Sequence, residues 1–481
     1  MTIWLDVTTV RGWHRPALGI VRVEAETARQ FLARRDGAIR FCRFDLAYKA
    51  YFEVGPEELQ FALERIDAGG VHPASLAAAA AGLPAPEQMA PQPGWRGNVL
   101  RAVARLPREL QQPLLQFARV RMDGARALRA SLRAVGSAAM LFVRGRPPLP
   151  ASAPAAAPAP ALVKPDLLFG RGDVVVSLGL DWDQKDLPYL YTLRQALDLH
   201  ILLMCYDIIP IRLPHLCVAD VARKFPGYFL DVARCADEVV CISAYSRQDL
   251  RAYLEECQVA LPELSLVRLG CEIGPVAPAQ APVAPAVAEL LGQQYILFVS
   301  TIERRKNHET VYRAYTRLVD AGVQDLPVLV FVGMAGWGQA ELMADLARDP
   351  RIRSCLRILN HVSDGDLALL YRHAYFTVYP SLYEGWGLPV AESLAYGKFC
   401  LVSNAASLPE VGGDLVEYID PWDVPRWAER LQWYIANPDA VAQRSAAIRD
   451  QYRAPSWHAT GATLVAAAEA LQQRAQAGPG R

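Results

Sequence analysis

Two glutamates, Glu384 and Glu392, are separated by seven residues in the stretch Tyr379–Gly397, YPSLYEGWGLPVAESLAYG. An apolar run, FTVYP, leads into a turn that carries Glu384 and then Gly385, Trp386 and Gly387. Pro389 follows where a first helical turn should begin, its favoured helical place. Glycines at a strand-to-helix junction let a ligand approach the backbone closely. The free N–H groups and positive dipole end of the helix suit a phosphate or a sugar oxygen. Glu384 falls at the mouth of this turn and Glu392 about one turn into the helix. One carboxylate can face a sugar while the other reaches a ribose diol. The same letters also fit a turn with two solvated glutamates.

A second cluster is Phe298–His308, FVSTIERRKNH. An apolar strand runs into Glu303, Arg304, Arg305, Lys306 and Asn307. Cations at the carboxyl end of a parallel strand lie on the ligand side of an open α/β sheet. Arginine offers a bidentate fork and lysine a point charge, both suited to a diphosphate. A solvated charge run capping a helix would read the same way. Two weaker signals follow. Phe331–Gly338, FVGMAGWG, is again a strand entering a glycine-rich loop. In Asn360–Ala374, NHVSDGDLALLYRHA, Ser363 and Asp366 have the spacing of a capping box, and capping is the reading preferred for Ser363. Asp364 could accept the N1–H and N2–H of a guanine.

These residues need elements to position them. Strand-like runs occur at Ile3–Val7, Ile39–Phe44, Asp173–Ser177, His200–Cys205, Glu238–Ile242 and Ser265–Leu269, with helical spacing at Val21–Leu32. A fresh set follows at Tyr295–Val299, Val328–Val332, Ile358–Leu359, Phe376–Tyr379 and Phe399–Val402. Alternating β and α segments predict parallel, doubly wound sheets, one in each half. A last helix is expected near Thr460–Gln473. Pro275–Pro285, PVAPAQAPVAP, reads as a linker. The expected division is an N-terminal domain over 1–275, a linker over 276–292, a C-terminal domain over 293–455, and a closing helix and tail over 456–481. An insertion over about 74–166 interrupts the first domain. It holds a Pro/Ala-rich segment, Pro147–Pro160, and a basic stretch.

Charge narrows the partners. The 481 residues carry 50 Lys+Arg against 50 Asp+Glu, which argues against a whole-chain polyanion binder, nucleic acid included. The basic charge is local: Arg96 to Arg146 holds eleven arginines and two acids, Glu109 and Asp123. Arginines among apolar residues suit an amphipathic helix on an anionic membrane surface, where each adds about 1 kcal/mol. Pro107 and Pro113 prevent one continuous helix, and a solvated or partner-binding insertion fits equally. The nine cysteines show no C-x-x-C pair, so neither a disulfide framework nor a structural zinc site is expected. The N-terminus lacks the basic and apolar regions of a signal peptide, and no run is long enough to span a membrane. The expected location is the cytoplasm.

Taken together, Glu384-x7-Glu392, RKN at Arg305–Asn307 and SLPEVGGD at Ser407–Asp414 resemble the retaining GT-B glycosyltransferases, which use nucleotide sugars and include bacterial mannosyltransferases of O-antigen and capsule synthesis. GIVRVE (Gly19–Glu24), YDIIP (Tyr206–Pro210) and CISAYS (Cys241–Ser246) are similar to N-terminal segments of that group. The resemblance implies two Rossmann-like domains facing a cleft, with a C-terminal helix that returns to the N-terminal domain. It implies that Lys306 and Arg305 bind the donor diphosphate, and that Gly19 lets the chain approach it. Glu392 would hold the ribose, and Val362 and Asp364 would meet the base. Glu384 and the backbone of Gly385, Trp386, Gly387 and Leu388 would hold the transferred sugar, with Asp207 at the cleft edge. Two positions depart from the group: Tyr206 stands where many members have histidine, and Thr301 where many have arginine. The implied reaction is retaining hexosyl transfer onto a lipid-linked or growing surface glycan at the inner face of a bacterial membrane. No Asp-x-Asp signature that would insist on a metal is read in the second half, and Lys306 and Arg305 can replace one, so no metal is expected. GDP-mannose is the first donor expectation, with a UDP-hexose or dTDP-rhamnose as the alternative. A nucleotide-sugar 2-epimerase and a non-enzymatic nucleotide-sugar-binding scaffold are the alternative functions.

Overall fold

The computed structural model describes residues 1–14, 19–34, 39–67, 168–273 and 283–477. The expected insertion, its basic stretch and most of the Pro/Ala linker lie outside the described residues.

Two open sheets form. The first contains β1 (Ile3–Asp6), β2 (Ile39–Asp45), β3 (Ala50–Val54), β4 (Val174–Ser177), β5 (His200–Cys205), β6 (Glu238–Cys241) and β7 (Glu263–Leu266), in the order β3-β2-β1-β4-β5-β6-β7. Only β3 runs antiparallel, paired with β2. The second holds β8 (Tyr295–Val299), β9 (Val328–Val332), β10 (Leu356–Leu359), β11 (Phe376–Tyr379), β12 (Cys400–Ser403) and β13 (Glu417–Ile419), in the order β10-β9-β8-β11-β12-β13, all parallel. Each order reverses direction beside its first strand, as in a doubly wound Rossmann sheet. Central strands such as VVVS of β4 are buried throughout, because helices cover both faces.

Several strands differ from the sequence reading, most of them by one or two residues at an end. β3 and β13 were not expected, and the last strand of the first sheet is Glu263–Leu266 rather than Ser265–Leu269. Pairing with β6 fixes that register: Cys241 lies opposite Leu266. The more apolar Val267 and Leu269 lie beyond the strand and enter the core. The helix Pro285–Leu291 falls inside the expected linker. Its Val287 and Leu290 pack on Tyr295, and proline starts the helix without losing a needed donor.

The helix Trp457–Ala477 crosses back to the first sheet. Gly461 lies against Gln30 of the helix Ile20–Ala33, and Arg474 pairs with Glu238 at 2.5 Å. All nine cysteines are unpaired; Cys257 is exposed, and Cys42, Cys205, Cys235, Cys241, Cys271 and Cys400 are buried. Among the described residues, no helix is long and apolar enough to cross a membrane.

Candidate active site

An open α/β sheet binds ligands beyond the carboxyl ends of its strands, where the strand order reverses. In the second sheet that point lies between β8 and β11. The loop after β8 carries Glu303, Arg305 and Lys306; the loop after β11 carries Glu384. The fold brings them together. Lys306 Nζ donates to Glu384 Oε1 at 2.6 Å, and Arg305 Nη1 donates to Glu384 Oε2 at 2.9 Å. Arg305 Nη2 also donates to Glu303 Oε1 at 2.8 Å. Hydroxyls of Ser381 and Tyr379 reach Glu384 Oε1 at 2.5 and 3.0 Å, and Lys306 reaches the Tyr379 hydroxyl at 2.9 Å.

Electrostatics follow from this packing. Burial alone would raise the Glu384 carboxyl, but Arg305 and Lys306 overcome it and hold the group at about 2. Burial, with Arg305 beside it, lowers the Lys306 ammonium, against the pull of Glu384. Burial raises Glu303 despite its two cationic neighbours. The site is thus a dry knot of two cations and two carboxylates at the mouth of the sheet.

Asp207 enters from the first sheet, in the loop after β5. A Cβ on Gly385 would stand 2.6 Å from the Tyr206 carbonyl oxygen and 2.9 Å from Asp207 Cβ. Only glycine permits that approach. Burial raises the Asp207 carboxyl, while Arg305 pulls it down. Tyr206, which departs from the histidine of many members of the resembled group, turns its hydroxyl to the Leu178 carbonyl oxygen at 2.5 Å. Thr301, which departs from the arginine of many members of that group, is exposed.

Gly387 precedes the helix Leu388–Ala395 with φ of 118°, a left-handed conformation that glycine adopts without strain. Glu392 lies on that helix, away from Glu384. Its Oε2 accepts from the Tyr371 hydroxyl at 2.9 Å. Burial raises Glu392 to about 7, with the Tyr371 hydrogen bond and the Arg22 charge opposing. Asp364 begins the helix Asp364–His373, and its charge also acts on Glu392. Val362 stands two residues before it. Ser363 caps that helix, accepting from the Asp366 amide at 3.1 Å; the Asp366 side chain accepts instead from Ala284 N at 3.4 Å, so the box is half made. Gly19 caps the helix Ile20–Ala33 with φ of 51°. Arg22 on that helix stacks over Trp457 with its guanidinium carbon 5.2 Å from the ring centroid.

Sequence reasoning missed Tyr379, Ser381, Tyr371 and Arg22. Tyr379 and Ser381 were readable as the polar residues flanking the turn; Arg22 and Tyr371 come from distant helices and left no local signal. Among the described residues, no group of three His, Cys, Asp or Glu could hold a metal ion.

The reversal point of the first sheet is also charged. The buried Lys185 ammonium lies 2.9 Å from Asp6 Oδ2 and 2.8 Å from Asp181 Oδ1. Glu24 Oε1 accepts from Val10 N at 2.7 Å, while its buried Oε2 has no hydrogen-bond partner. Burial raises Glu24 to about 8.

Two Rossmann-like domains whose ligand loops meet at one cleft define a GT-B architecture. Residues 285–451 match the family described as Glycosyl transferases group 1. Curated relatives include the O-antigen chain mannosyltransferase B of Escherichia coli, 40% identical over 136 residues, which cover 28% of this chain and 35% of the relative. The serotype-specific mannosyltransferase WbdA of Escherichia coli is 27% identical over 238 residues, 47% of this chain and 29% of the relative. The chain thus spans about a third of the length of these relatives. A solved sucrose-phosphate synthase from Thermosynechococcus elongatus aligns at TM-score 0.47 and 18% identity, covering 62% of this chain and 73% of that one.

Proposed function

We propose that this protein is a retaining glycosyltransferase that moves mannose from GDP-mannose onto a lipid-linked or growing surface glycan. The observation that carries the reading is the buried meeting of Arg305, Lys306 and Glu384 beneath the Gly385–Gly387 turn, with Asp207 against that turn. The mannosyltransferase names of the relatives support the sugar, and Asp364 beside Glu392 suits guanine.

In this mechanism the donor diphosphate takes Lys306 and Arg305 as partners. Glu384 then shares its cations with an anion and turns toward the sugar hydroxyls. Glu392 accepts from the ribose diol, and Val362 and Asp364 meet the base. The bond from the anomeric carbon to the phosphate oxygen breaks, and negative charge grows on the leaving diphosphate. Fixed cations in a dry site stabilise it; one such donor contributes about 3–4 kcal/mol. The acceptor oxygen bonds to the anomeric carbon on the same face, and its proton passes to the leaving phosphate. Lys306 and Arg305 supply the positive charge, so no metal is required. Gly19 lets the N-terminal domain come close to the diphosphate. The Arg-rich stretch 96–146 would hold the protein at an anionic lipid surface where the acceptor resides.

The test is transfer itself. The protein is incubated with lipid-linked glycan acceptors and GDP-mannose, UDP-glucose or dTDP-rhamnose in turn, and the new linkage is read by NMR. An α-mannosyl product, made with added chelator, supports the reading. Transfer from another donor would overturn the mannose assignment, and an inverted linkage would overturn retention.

A further inference from the structure

Glu410, in the segment SLPEVGGD, reaches from the C-terminal domain to the first turn of a helix in the N-terminal domain. That helix, Ala244–Glu256, follows β6. Its first amides cannot be satisfied within the helix. Ser243 Oγ accepts from Ser246 N at 2.9 Å. The two remaining amides of the turn, Ala244 and Tyr245, donate to Glu410 Oε2 and Oε1 at 2.8 and 2.7 Å. A residue of the opposite domain therefore completes the cap, and its negative charge suits that end of the helix.

The same short stretch supports the sugar-site turn. Ser407 Oγ lies within 2.8 Å of both the Glu384 and Trp386 carbonyl oxygens. Leu408 packs so closely under Gly387 that a Cβ there would come 2.6 Å from its Cδ2. From the other side, Ser246 Oγ lies 3.2 Å from both the Tyr206 and Gly385 carbonyl oxygens. Residues 407–410 thus hold the Glu384–Gly387 turn and grip the helix whose third residue, Ser246, also touches that turn. Asp207 follows Tyr206 directly.

We propose that Glu410 is a positioning residue for transfer: its carboxylate, seated on the Ala244 and Tyr245 amides, couples the approach of the two domains to the shape of the sugar-site turn and its placement against Asp207. This role rests on the transferase reading above. The Glu410 carboxylate is bonded to the Ala244 and Tyr245 amides and not to Lys306, Arg305, Glu392 or Asp364, so its loss should alter turnover and not nucleotide affinity.

Three measurements on the full chain test this. Residue-resolved hydrogen exchange reads the cap, calorimetry reads GDP binding, and GDP release from GDP-mannose reads turnover. Glu410→Ala should speed exchange at Ala244 and Tyr245 at least about tenfold, since amide exchange tracks the free energy of opening its hydrogen bond. It should slow GDP release about 10- to 100-fold, the scale of a misplaced reacting group, and leave GDP affinity within about twofold. Glu410→Gln, which keeps one acceptor oxygen, should fall between. Unchanged exchange would overturn the proposal, as would faster exchange with unchanged turnover. A loss of GDP affinity matching the loss of turnover would overturn it too, because it would mark general damage to the domain. Wild-type protein that neither binds GDP nor releases it, with the exchange effect intact, would instead sink the transferase reading, and the positioning role with it.

Discussion

Lys306 Nζ stands 2.6 Å from Glu384 Oε1, joining the loop after β8 to the loop after β11 where the strand order reverses. Both side chains are largely buried, and Arg305 shares the same carboxylate. The contact is a structural pair, and in the proposed function it is also where a donor diphosphate would compete with the carboxylate for the cations. Each role has its own consequence.

Removing the carboxylate leaves two cations without their shared partner. Glu384→Gln should destabilise the protein by about 3–5 kcal/mol, the scale for breaking a buried pair. The pH dependence has a definite sign. The folded carboxyl is depressed to about 2, below its ordinary 4.5, so its stabilisation is present above about 4.5 and lost as pH falls toward 2. Thermal unfolding from pH 5 to 2.5 should show that loss in wild type and a shallower one in the variant. Parallel curves would refute the assignment.

Glu392 titrates in the opposite sense. Burial raises it to about 7, so near pH 6 much of it is neutral. A neutral acid is a poorer acceptor for a ribose diol. Nucleotide affinity should rise several-fold between pH 6 and 8 in wild type. Glu392→Gln should bind weakly at both values and lose the difference. If the variant retained the rise, another group would be its source.

In the first sheet, Glu24 is raised to about 8. Its folded form holds a proton that the unfolded chain releases above about 4.5. Stability should fall as pH climbs from about 4.5 to 8, with a slope approaching 1.4 kcal/mol per pH unit. Glu24→Gln should flatten that slope, gaining on wild type at pH 8 relative to pH 5. Equal slopes in chemical denaturation would contradict the burial of this carboxyl beside Asp6 and Asp181.

Gly385→Ala tests the approach of the two domains. Its Cβ would meet the Tyr206 carbonyl oxygen, a backbone atom that cannot move aside cheaply. Turnover should drop by at least about tenfold, the scale of small misplacements near reacting groups. Gly227→Ala, on the helix Ala219–Cys235 with nothing within 4 Å of its added Cβ, should instead stabilise the protein by about 0.5–1 kcal/mol. Similar effects of the two substitutions would remove the argument for a close approach at Gly385.

Much of this arrangement was legible in the sequence, for physical reasons. Strands buried on both faces read as unbroken apolar runs, so β5, β8, β9 and β11 begin and end where their residues suggested. Edge strands do not: β3, AYFEV, and β7, ELSL, mix polar and apolar residues, and their limits come from neighbours. The cations after β8 and Glu384 after β11 announced themselves by charge type at strand ends. Their partnership required the strand order. Glu410 gave no signal as a cap, because the amides it satisfies lie 166 and 165 residues away. The Lys185 cluster was equally silent, since Asp6, Glu24 and Asp181 meet only when β1 lies beside β4.

The most direct measurement is calorimetric binding of GDP-mannose, UDP-glucose and dTDP-rhamnose to wild-type protein and to Lys306→Ala. The account predicts selective binding of GDP-mannose, weakened at least tenfold in the variant. GDP-mannose binding that survives Lys306→Ala unchanged would contradict the diphosphate site, and an absence of binding by every donor would contradict the transferase reading itself.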